Sequence, residues 1–371
     1  MSRIVQLANF VHPTSGGLRT ALDHLAIGYA DAGHEVARIS PGPTYAVVER
    51  SWGRCVQLPA PEVPGTGYRV LTDLHRVRRT LEAAAPDRIE VHDRTTLRSV
   101  GMIARAHGVP SLVVSHERLD RWLRQWLSPR LPLDRFADRT NAALAAAFDH
   151  VVCTTAWAEQ EFTRLQVPVR RVPLGVDVND FPAIPPRADD GTLRLVLASR
   201  LSREKRPDLA VGAAKELQRR GHRVRLRIAG DGPLRASLTA RSAGVPVELL
   251  GFVGDPATLA AELGRADVAL APGPVETFGL AALEALACGT PVVCNVHSAL
   301  PEVLGEAGGA AASTPWSFAD AVERLLEVPP AERRSRARRR AEGFPWSSTV
   351  EGFLRVHGLA LGARRATPTA A

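Results

Sequence analysis

Short β-branched runs alternate with amphipathic helical stretches along most of the chain, and this alternation constrains the fold more than any other feature. Near the N-terminus RIVQLA, LRTALDHLAIGYADAG and EVARIS follow one another, and later LRLVLAS, VRLRIAG, VELLG, VALAP and PVVC are separated by helical patterns. A strand, helix, strand rotation predicts parallel sheets with helices on both faces. We therefore predict an α/β protein with two Rossmann-like, doubly wound parallel-sheet domains that face each other across a cleft.

The alternation of strands and helices is interrupted once, in PLGVDVNDFPAIPPRADDG. This segment is dense in Pro, Asp and Gly and indicates a linker. We predict an N-terminal domain at 1–172, the linker at 173–191 and a C-terminal domain at 192–345. The remaining segment, 346–371, begins with helical spacing and ends in a tail that we expect to be disordered.

The four cysteines form no C-x-x-C pair and lie in or beside apolar stretches, which predicts free thiols in a reducing compartment. The N-terminal sequence lacks the long apolar core of a signal peptide, and no run of about 18 apolar residues follows it. We therefore expect a cytoplasmic protein, with peripheral binding to the inner face of the plasma membrane as a further option.

The net charge of +8 raises the alternative of a basic nucleic-acid binder. Nearly all of the cations are Arg, however, in a chain also rich in Ala, Gly and Pro, and only 5% of the residues are aromatic. We attribute the charge to composition and expect no nucleic-acid partner. Two local clusters stand out, HRVRR at 75–79 and RRSRARRR at 333–340, and we interpret the second as a solvated helix face.

A glycine pair follows the first predicted strand, in HPTSGGLRTAL. Gly16 and Gly17 allow close approach of the backbone to a ligand, and the N–H groups at the start of the next helix favour an anion. The spacing is not the G-x-G-x-x-G of dinucleotide sites, so a plain tight turn is the alternative. The later glycine turn RIAGDGPL we interpret as structural.

The segment ASRLSREKRPDLAV places Arg200 and Lys205 just after a strand of the C-terminal domain. Lysine is scarce in this chain, so a lysine in a strand-end loop is informative. A guanidinium fork together with an ammonium group suits a diphosphate. A solvated helix N-terminus is the alternative.

The segment VETFGLAALEALACGTPVV places two carboxylates, Glu276 and Glu284, around the start of an apolar helix. The preceding PGP puts Glu276 in a loop. The N–H groups of Phe278, Gly279 and Leu280 then form an anion site at the helix start. Because Glu284 lies a little over two turns further on, the pair can straddle a ligand of about 10 Å and bind the hydroxyls of a sugar. A helix cap and a half-exposed helix residue are the plainer alternative.

These motifs resemble the GT-B retaining glycosyltransferases, the glycosyltransferase family 4-like group that includes bacterial GDP-mannose-dependent phosphatidylinositol mannosyltransferases and sucrose-phosphate synthases. The run ETFGLAALEALACGTPVV carries the likeness most specifically, RLSREKRPDL supports it, and SGGLRTAL and DAGHEV match the acceptor domain. The resemblance covers most of the chain. It implies a hexosyltransferase whose C-terminal helix crosses back onto the N-terminal domain.

The resemblance also implies roles for the site residues. Arg200 and Lys205 hold the donor diphosphate, and the glycine pair borders the donor. Glu284 binds the nucleotide ribose, and Glu276 binds hydroxyls of the transferred sugar. His116, at the end of SLVVSH, resembles the family's active-site histidine near the sugar and the acceptor, although a histidine at a strand end is often structural.

Retention of the anomeric configuration implies front-face attack, with the departing phosphate oxygen taking the proton of the acceptor. No carboxylate nucleophile is then required. No D-x-D triplet occurs in the sequence, and Arg200 and Lys205 can stabilise the leaving diphosphate in place of a metal. The resemblance thus implies a nucleotide-sugar donor, no required cofactor and no essential divalent metal.

Asp255 is relevant to the identity of the donor nucleotide. It follows LGFVG, where mannosyltransferases of this family read guanine, and this favours GDP-mannose. Capping of the next helix is the alternative. A UDP- or ADP-sugar-dependent transferase with a soluble, polysaccharide or natural-product acceptor stays open, as does a GT-B sugar-nucleotide epimerase.

A segment rich in tryptophan and arginine is relevant to the chemical class of the acceptor. HERLDRWLRQWLSPRLP sets Trp122 and Trp126 among arginines, which predicts an amphipathic helix that lies on an anionic leaflet. Arg76, Arg78 and Arg79 add positive charge. We expect a lipid acceptor such as phosphatidylinositol or its mannosides, and a domain-packing helix is the alternative.

Overall fold

The computed structural model of the chain describes residues 1–11, 16–64, 66–125, 127–128, 130–186, 188 and 190–360. The chain divides into two compact units. The first comprises Met1–Pro173 and the segment from Trp346 onwards, and the second comprises Leu174–Pro345. The tail beyond residue 360, which the sequence predicts to be disordered, lies outside the described residues.

The first unit contains one eight-stranded sheet in the order β3-β4-β2-β1-β5-β6-β7-β8. Its strands are β1 Arg3–Leu7, β2 Glu35–Gly42, β3 Ala46–Arg50, β4 Gly53–Pro59, β5 Arg88–Val91, β6 Ser111–Ser115, β7 His150–Cys153 and β8 Val169–Arg171. Its helices are α1 Gly17–Asp31, α2 Leu74–Ala84, α3 Ser99–Ala106, α4 Leu119–Leu123, α5 Leu133–Ala147 and α6 Ala156–Thr163.

One part of this sheet departs from the predicted strict rotation. Between the parallel strands β2 and β4 the chain forms an extra strand, β3, which pairs antiparallel with β4. The stretch between β2 and β4 is too short for a helical crossover of a dozen or more residues. Gly53 begins β4 with φ 143°, and a Cβ there would lie 2.1 Å from the carbonyl oxygen of Val36, so this position requires glycine.

The second unit follows the predicted rotation and contains a fully parallel six-stranded sheet in the order β11-β10-β9-β12-β13-β14. Its strands are β9 Thr192–Ala198, β10 Arg223–Ala229, β11 Val247–Gly251, β12 Val268–Ala271, β13 Val292–Asn295 and β14 Gly308–Ala311. Its helices are α7 Pro207–Arg219, α8 Arg235–Arg241, α9 Pro256–Gly264, α10 Leu280–Ala287, α11 Leu300–Leu304, α12 Pro315–Leu326 and α13 Pro330–Glu342.

The segment predicted as a linker packs on the second unit from Leu174 onwards, rather than forming a separate connection. The N–H of Val176 donates to the carbonyl oxygen of Phe344 at 2.9 Å, and that of Ile184 donates to Cys288 at 3.2 Å. Its Pro and Asp residues therefore indicate irregular structure with tertiary hydrogen bonds.

The last helix, α14 Trp346–Val356, belongs to the first unit, where it packs against α1. Gly28 of α1 makes this contact close, because a Cβ there would lie 2.3 Å from a methyl carbon of Val350. Phe353 is fully buried in the same core. None of the described helices combines the length and apolarity needed to cross a bilayer.

In both sheets the strand order reverses beside the first strand of the unit. β1 lies between β2 and β5, and β9 lies between β10 and β12. Loops that leave the carboxyl ends of such neighbouring strands diverge, which creates the usual ligand position of open α/β sheets. Of the predicted site residues, the glycine pair follows β1, Arg200 and Lys205 follow β9, and Glu276 follows β12. His116 and Asp255 follow the neighbouring strands β6 and β11.

Candidate active site

The loop after β9 is held by backbone contacts with the loop after β10. The N–H of Leu201, a fully buried residue, donates to the carbonyl oxygen of Asp231 at 2.9 Å. Gly230 and Gly232 permit this approach, since a Cβ at Gly230 would lie 1.9 Å from the carbonyl oxygen of Ser199. The AGDG turn is therefore structural, as the sequence predicts. It fixes the stem of the loop that carries Arg200 and Lys205.

The loop after β12 carries Glu276 and is fixed in a different way. The buried amide of Asn295 donates to the carbonyl oxygen of Pro272 at 3.0 Å, and the carbonyl oxygen of Glu276 accepts from the N–H of Ala299 at 2.8 Å. Gly279 has φ 84°, and a Cβ there would lie 2.5 Å from the side chain of Leu300. Both ends of the loop are thus anchored.

Lys205 and Glu276, which are 71 residues apart in sequence, meet across these two loops. The ammonium nitrogen of Lys205 lies 2.5 Å from a carboxylate oxygen of Glu276, and the two side chains are 32% and 25% exposed. Gly273 allows the loops to touch, since a Cβ there would lie 3.4 Å from the Cα of Lys205. The structure therefore brings together a predicted cation and a predicted carboxylate beside the strand reversal of the second unit.

The start of α10 supplies the other predicted groups. The helix begins at Leu280, with Gly279 at its N-cap position, and no acidic side chain lies in its first turn. Phe278 is buried and packs edge-to-face against Phe344 with ring centroids 6.1 Å apart. Its side chain is therefore a packing element. Any contribution of Phe278 to an anion site comes from its backbone.

Glu284 lies on α10, partly exposed between buried neighbours. Desolvation raises the pKa of its carboxyl group to about 7. No charged or hydrogen-bonding group within the described part of the chain offsets this shift. Glu284 is thus a carboxyl group that is half protonated near neutral pH and has unused hydrogen-bonding capacity.

Asp255 caps α9. One carboxylate oxygen accepts from the N–H of Thr258 at 2.8 Å and from its hydroxyl at 2.5 Å, and these hydrogen bonds lower the pKa of Asp255. The capping interpretation is therefore observed. The guanine-reading role stays a prediction.

Gly16 and Gly17 open α1, with Gly16 at the N-cap position and Gly17 as the first helical residue. A Cβ added to Gly16 would meet no protein atom within 4 Å among the residues whose positions are described. Protein packing therefore does not account for glycine at this position. A close ligand and a plain tight turn both remain predicted reasons for this glycine.

His116 follows β6 in the first unit and has an unpredicted partner. Its Nε2 lies 2.8 Å from Nδ1 of His92, which follows the neighbouring strand β5, and the two rings stack at 5.1 Å. Burial, reinforced by the charge of His92, lowers the pKa of His116 to about 3. His116 is therefore neutral at physiological pH.

Neither His92 nor Glu90, which contacts it, is among the residues that the sequence predicts for the site. A signal was available, because RIEVH and SLVVSH both end in histidine and the carboxyl ends of parallel strands share one edge of a sheet. The pairing of β5 with β6 brings the two histidines together.

The predicted long amphipathic helix around Trp122 is wrong. Helix α4 ends at Leu123. Arg118 is buried, where its guanidinium contacts Asp120 at 2.8 Å and lies 4.5 Å over the ring of Trp157. Trp122 itself is 43% exposed, and Trp126 lies outside the described residues.

The exposed surface near α4 still combines apolar and basic side chains. The large apolar residues exposed here are Trp122, Leu127, Leu131 and Phe136, and exposed arginines alternate with them at 121, 124, 130 and 135. Elsewhere in the first unit Arg76, Arg78 and Arg79 lie exposed on α2. Nε of Arg76 lies 3.6 Å from a carboxylate oxygen of Asp73, and Nε of Arg78 lies 3.6 Å from a carboxylate oxygen of Glu82.

The arginine cluster of α13 is not a solvated face, contrary to the prediction. Arg334 donates to the carbonyl oxygens of Gly264 at 2.5 Å and Ala266 at 3.0 Å, where α9 ends. Arg338 donates to the carbonyl oxygen of Ala287, the last residue of α10, at 2.9 Å. These arginines satisfy helix C-termini, which carry unpaired carbonyl groups and partial negative charge.

Two family descriptions match the chain. Residues 16–175 match a glycosyl transferase 4-like domain, and residues 192–328 match the glycosyl transferases group 1 family. Together the two matches cover every strand of the two sheets except β1.

Three individual proteins are also similar. The chain is 46% identical over 373 residues to the GDP-mannose-dependent alpha-(1-6)-phosphatidylinositol dimannoside mannosyltransferase of Mycobacterium tuberculosis, covering 96% of each chain. It is 28% identical to the glycogen synthase of the same species, covering 92% of this chain and 91% of that one. Among solved structures, the sucrose-phosphate synthase of Thermosynechococcus elongatus matches with a TM-score of 0.78 at 20% identity, covering 96% of this chain and 98% of that one.

Proposed function

The chain belongs to the family of GT-B glycosyltransferases, and from this premise we propose that it transfers mannose from GDP-mannose to phosphatidylinositol dimannoside with an α-1,6 linkage. The full-length similarity to the mycobacterial mannosyltransferase supports the donor, the acceptor and the linkage. The contact between Lys205 and Glu276 is the observation in the molecule that best supports the chemistry.

In this proposal Lys205 and Arg200 bind the diphosphate of the donor, and Glu276 accepts hydrogen bonds from hydroxyls of the mannose. The 2.5 Å contact supports the assignment, because it places a cation directly beside an acceptor for sugar hydroxyls. As the bond between sugar and phosphate breaks, negative charge grows on the leaving group. A preformed ammonium and the N–H groups at the start of α10 stabilise this charge more than that of the bound donor.

Glu284 binds the ribose of the nucleotide in this proposal. Its raised pKa, about 7, lets the carboxyl group accept or donate hydrogen bonds to vicinal hydroxyls. His116 contacts the sugar or the acceptor as a neutral ring. The departing phosphate oxygen takes the proton of the attacking hydroxyl, so neither residue has to ionise during transfer.

We also propose that transfer proceeds without a divalent metal, because Arg200 and Lys205 supply the positive charge. EDTA in the assay tests this point. The rate should stay within about twofold of the untreated rate, and loss of activity that Mg²⁺ or Mn²⁺ restores would contradict it.

For the lipid acceptor, we propose that the apolar and basic surface formed by the described residues 121–125, 127–128 and 130–136 docks on an anionic leaflet at the cytoplasmic face of the membrane. Exposed Trp122 and Phe136 support this, because a large apolar side chain gains about 1.5–3 kcal/mol on leaving water. Replacing each with Ser should weaken binding to phosphatidylinositol vesicles about tenfold. Tyr45→Ser is the matched control, since Tyr45 is 63% exposed outside this surface. Equal binding by all variants would refute the docking surface.

A donor panel tests the central proposal. GDP-mannose, UDP-glucose and ADP-glucose are each incubated with phosphatidylinositol dimannoside, and the products are identified by mass spectrometry and linkage analysis. We expect a trimannoside only with GDP-mannose, and the same nucleotide sugar should raise the melting temperature most. Faster transfer from UDP-glucose would overturn the donor. Transfer to soluble mannosides but not to the lipid would overturn the acceptor.

A further inference from the structure

A buried arginine joins two neighbouring strand ends of the first unit. Arg94 follows β5 and is 6% exposed, and its guanidinium donates at 2.6 Å to the carbonyl oxygen of Glu117, which follows β6. The same guanidinium donates to the side-chain oxygen of Asn141 on α5 and lies 3.2 Å from a carboxylate oxygen of Glu161 on α6. One side chain thus ties together two loops and two helices.

Glu161 extends this contact to α4. It is fully buried, and its second carboxylate oxygen accepts from the backbone N–H of Asp120, in the first turn of α4, at 2.8 Å. Breaking a buried ion pair on one side leaves an uncompensated charge, so the pair is strongly held. Arg94 and Glu161 therefore fix both ends of the four-residue segment 117–120.

This segment connects two features of the proposed function. His116 comes directly before it, and the proposed docking surface begins directly after it, at Arg121. The carboxylate of Asp120 reinforces the second end, because it accepts from Arg118 at 2.8 Å and from Arg164 of α6 at 3.1 Å. The docking surface is thus anchored to the strand end that carries His116.

We propose that Arg94 and Glu161 are positioning residues that hold segment 117–120 as a rigid link, so that a lipid in the docked membrane meets the carboxyl edge of β6 at a fixed distance. This inference rests on the proposed function, in which the surface docks and the acceptor is a lipid. Arg94 and Glu161 act through the backbone of the link and touch no substrate.

The link matters most for an acceptor that the membrane holds. A lipid in a bilayer cannot move toward a displaced site, and an error of about 1 Å in the position of a reacting group can cost about 100-fold in rate. A short-chain acceptor dissolved as monomers adjusts its own position. Disruption of the link should therefore slow transfer to vesicle lipid more than transfer to the monomeric acceptor.

Arg94→Lys is the main test variant. It keeps a positive charge opposite Glu161, but an ammonium group lacks the planar fork that reaches Glu117, Asn141 and Glu161 together. Glu161→Gln is the second variant. It keeps the size of the side chain and loses one of its two contacts, and it carries the test if Arg94→Lys does not fold.

Arg38→Lys is the matched control. Arg38 is a buried arginine of the same unit, 4% exposed, whose guanidinium donates to Asp23 of α1 at 2.6 Å and lies 4.5 Å over the ring of Trp52. Both lysine variants replace a buried guanidinium that is paired with a carboxylate. A purely structural role of Arg94 therefore predicts similar effects for the two.

The first readout is hydrogen exchange without substrate, measured by mass spectrometry. Peptides that cover 117–123 should exchange faster in Arg94→Lys and Glu161→Gln than in the wild type, because the link loses its contacts. In Arg38→Lys these peptides should exchange as in the wild type. Equal exchange of this segment in all four proteins overturns the link.

The second readout compares transfer of mannose from GDP-mannose to two forms of phosphatidylinositol dimannoside. One is embedded in phosphatidylinositol vesicles, and the other is a dihexanoyl form dissolved as monomers. Arg94→Lys should lose about 10- to 100-fold in kcat on vesicles and less than about threefold on the monomers, with an unchanged Kd for vesicles. Arg38→Lys should keep the wild-type ratio of the two rates. A parallel loss on both acceptors, or a loss that weaker vesicle binding accounts for, overturns the link.

The two proposals fail separately. A wild type that transfers no mannose to either acceptor would refute the function, and hydrogen exchange would still show whether Arg94 and Glu161 fix the segment. An active wild type in which Arg94→Lys and Arg38→Lys keep the same ratio of rates would refute the link and leave the function standing.

Discussion

Glu90 in the first unit and Glu284 in the second are carboxyl groups on regular elements of two related folds, yet their pKa values shift in opposite directions. The pKa of Glu90 falls well below its usual range because hydrogen bonds from His357 and His92 outweigh burial. The pKa of Glu284 rises to about 7 because desolvation acts alone. Burial therefore does not determine the charge of a carboxyl group by itself; the number of donors around it does.

The difference also separates two uses of a carboxylate. Glu90 has no acceptor position left for a ligand, so its effect is confined to the groups that it holds. Glu284 and Glu276 lie partly exposed on the second unit, where Glu276 contacts the ammonium group of Lys205. Carboxylates whose oxygens can still accept hydrogen bonds suit the binding of sugar hydroxyls. Four experiments test whether charged groups in this protein divide into structural and ligand-binding roles in this way.

The largest effect should come from Glu276→Ala. We expect mannose transfer to fall at least about 1000-fold, because the sugar loses its charged acceptor near the transition state. GDP binding should hold or tighten, since Lys205 loses its counter-ion. Steady-state kinetics and calorimetry measure the two effects. Glu248→Ala, which removes a carboxylate paired with Arg227 elsewhere in the second unit, is the control. Intact turnover in Glu276→Ala would refute the sugar-binding role.

Glu90→Ala should have the next largest effect, on stability rather than on ligand binding. It leaves Gln6, Tyr29, His92 and His357 without their acceptor, so the free energy of unfolding should fall by about 4 kcal/mol. Urea unfolding measures the change. Glu82→Ala on α2 is the control and should cost less than about 0.5 kcal/mol, because that carboxylate is exposed. Similar urea midpoints for the two variants would contradict the structural role of Glu90.

In the second unit, Arg334→Ala tests a cation used for structure instead of binding. The free energy of unfolding should fall by about 2–3 kcal/mol, because partly buried carbonyl groups at the end of α9 lose a charged donor. Arg336→Ala removes only an exposed pair with Glu332 and should change stability little. GDP affinity should be unchanged in both variants. A stable Arg334→Ala protein would restore the interpretation of this cluster as a solvated face.

The smallest effect is the pH response of Glu284. Its pKa is about 7 in the folded protein against 4.5 for the free group, so the folded state binds more protons between these values. This group therefore lowers stability as pH rises through that window. Relative to Glu284→Gln, the wild type should lose about 1–2 kcal/mol between pH 4.5 and 8. Thermal unfolding across this range measures it. A difference that does not change with pH would show that the pKa is not raised.

The pH response of His116 is the opposite of that of Glu284. Its pKa is about 3 in the folded protein against 6.5 for the free group, so the unfolded state binds more protons between these values. The stability associated with a neutral His116 is therefore lost as pH falls below about 6.5. The two units respond to acid in opposite ways through these two groups.

Much of the candidate site could be predicted from local sequence. Lys205 and Glu276 each lie in the loop that follows a predicted strand. Because the strands are parallel, both loops leave the sheet at the same edge. The cap at Asp255 is also local, because its partner Thr258 is three residues away. In contrast, Glu90 and His357 are 267 residues apart in sequence, and no periodic pattern links them.

The amino-acid sequence alone predicts the two α/β units, nearly every strand of the second sheet and the loops that carry Lys205 and Glu276, because alternation of apolar segments and strand-end position are local properties. The folded structure is needed to see which charged groups form hydrogen bonds inside the protein. Arg118 and Arg334 resemble surface cations in the sequence, yet both donate to groups inside the protein. Hydrogen-bond saturation and desolvation depend on neighbours from distant segments, and those neighbours come together only when the chain packs.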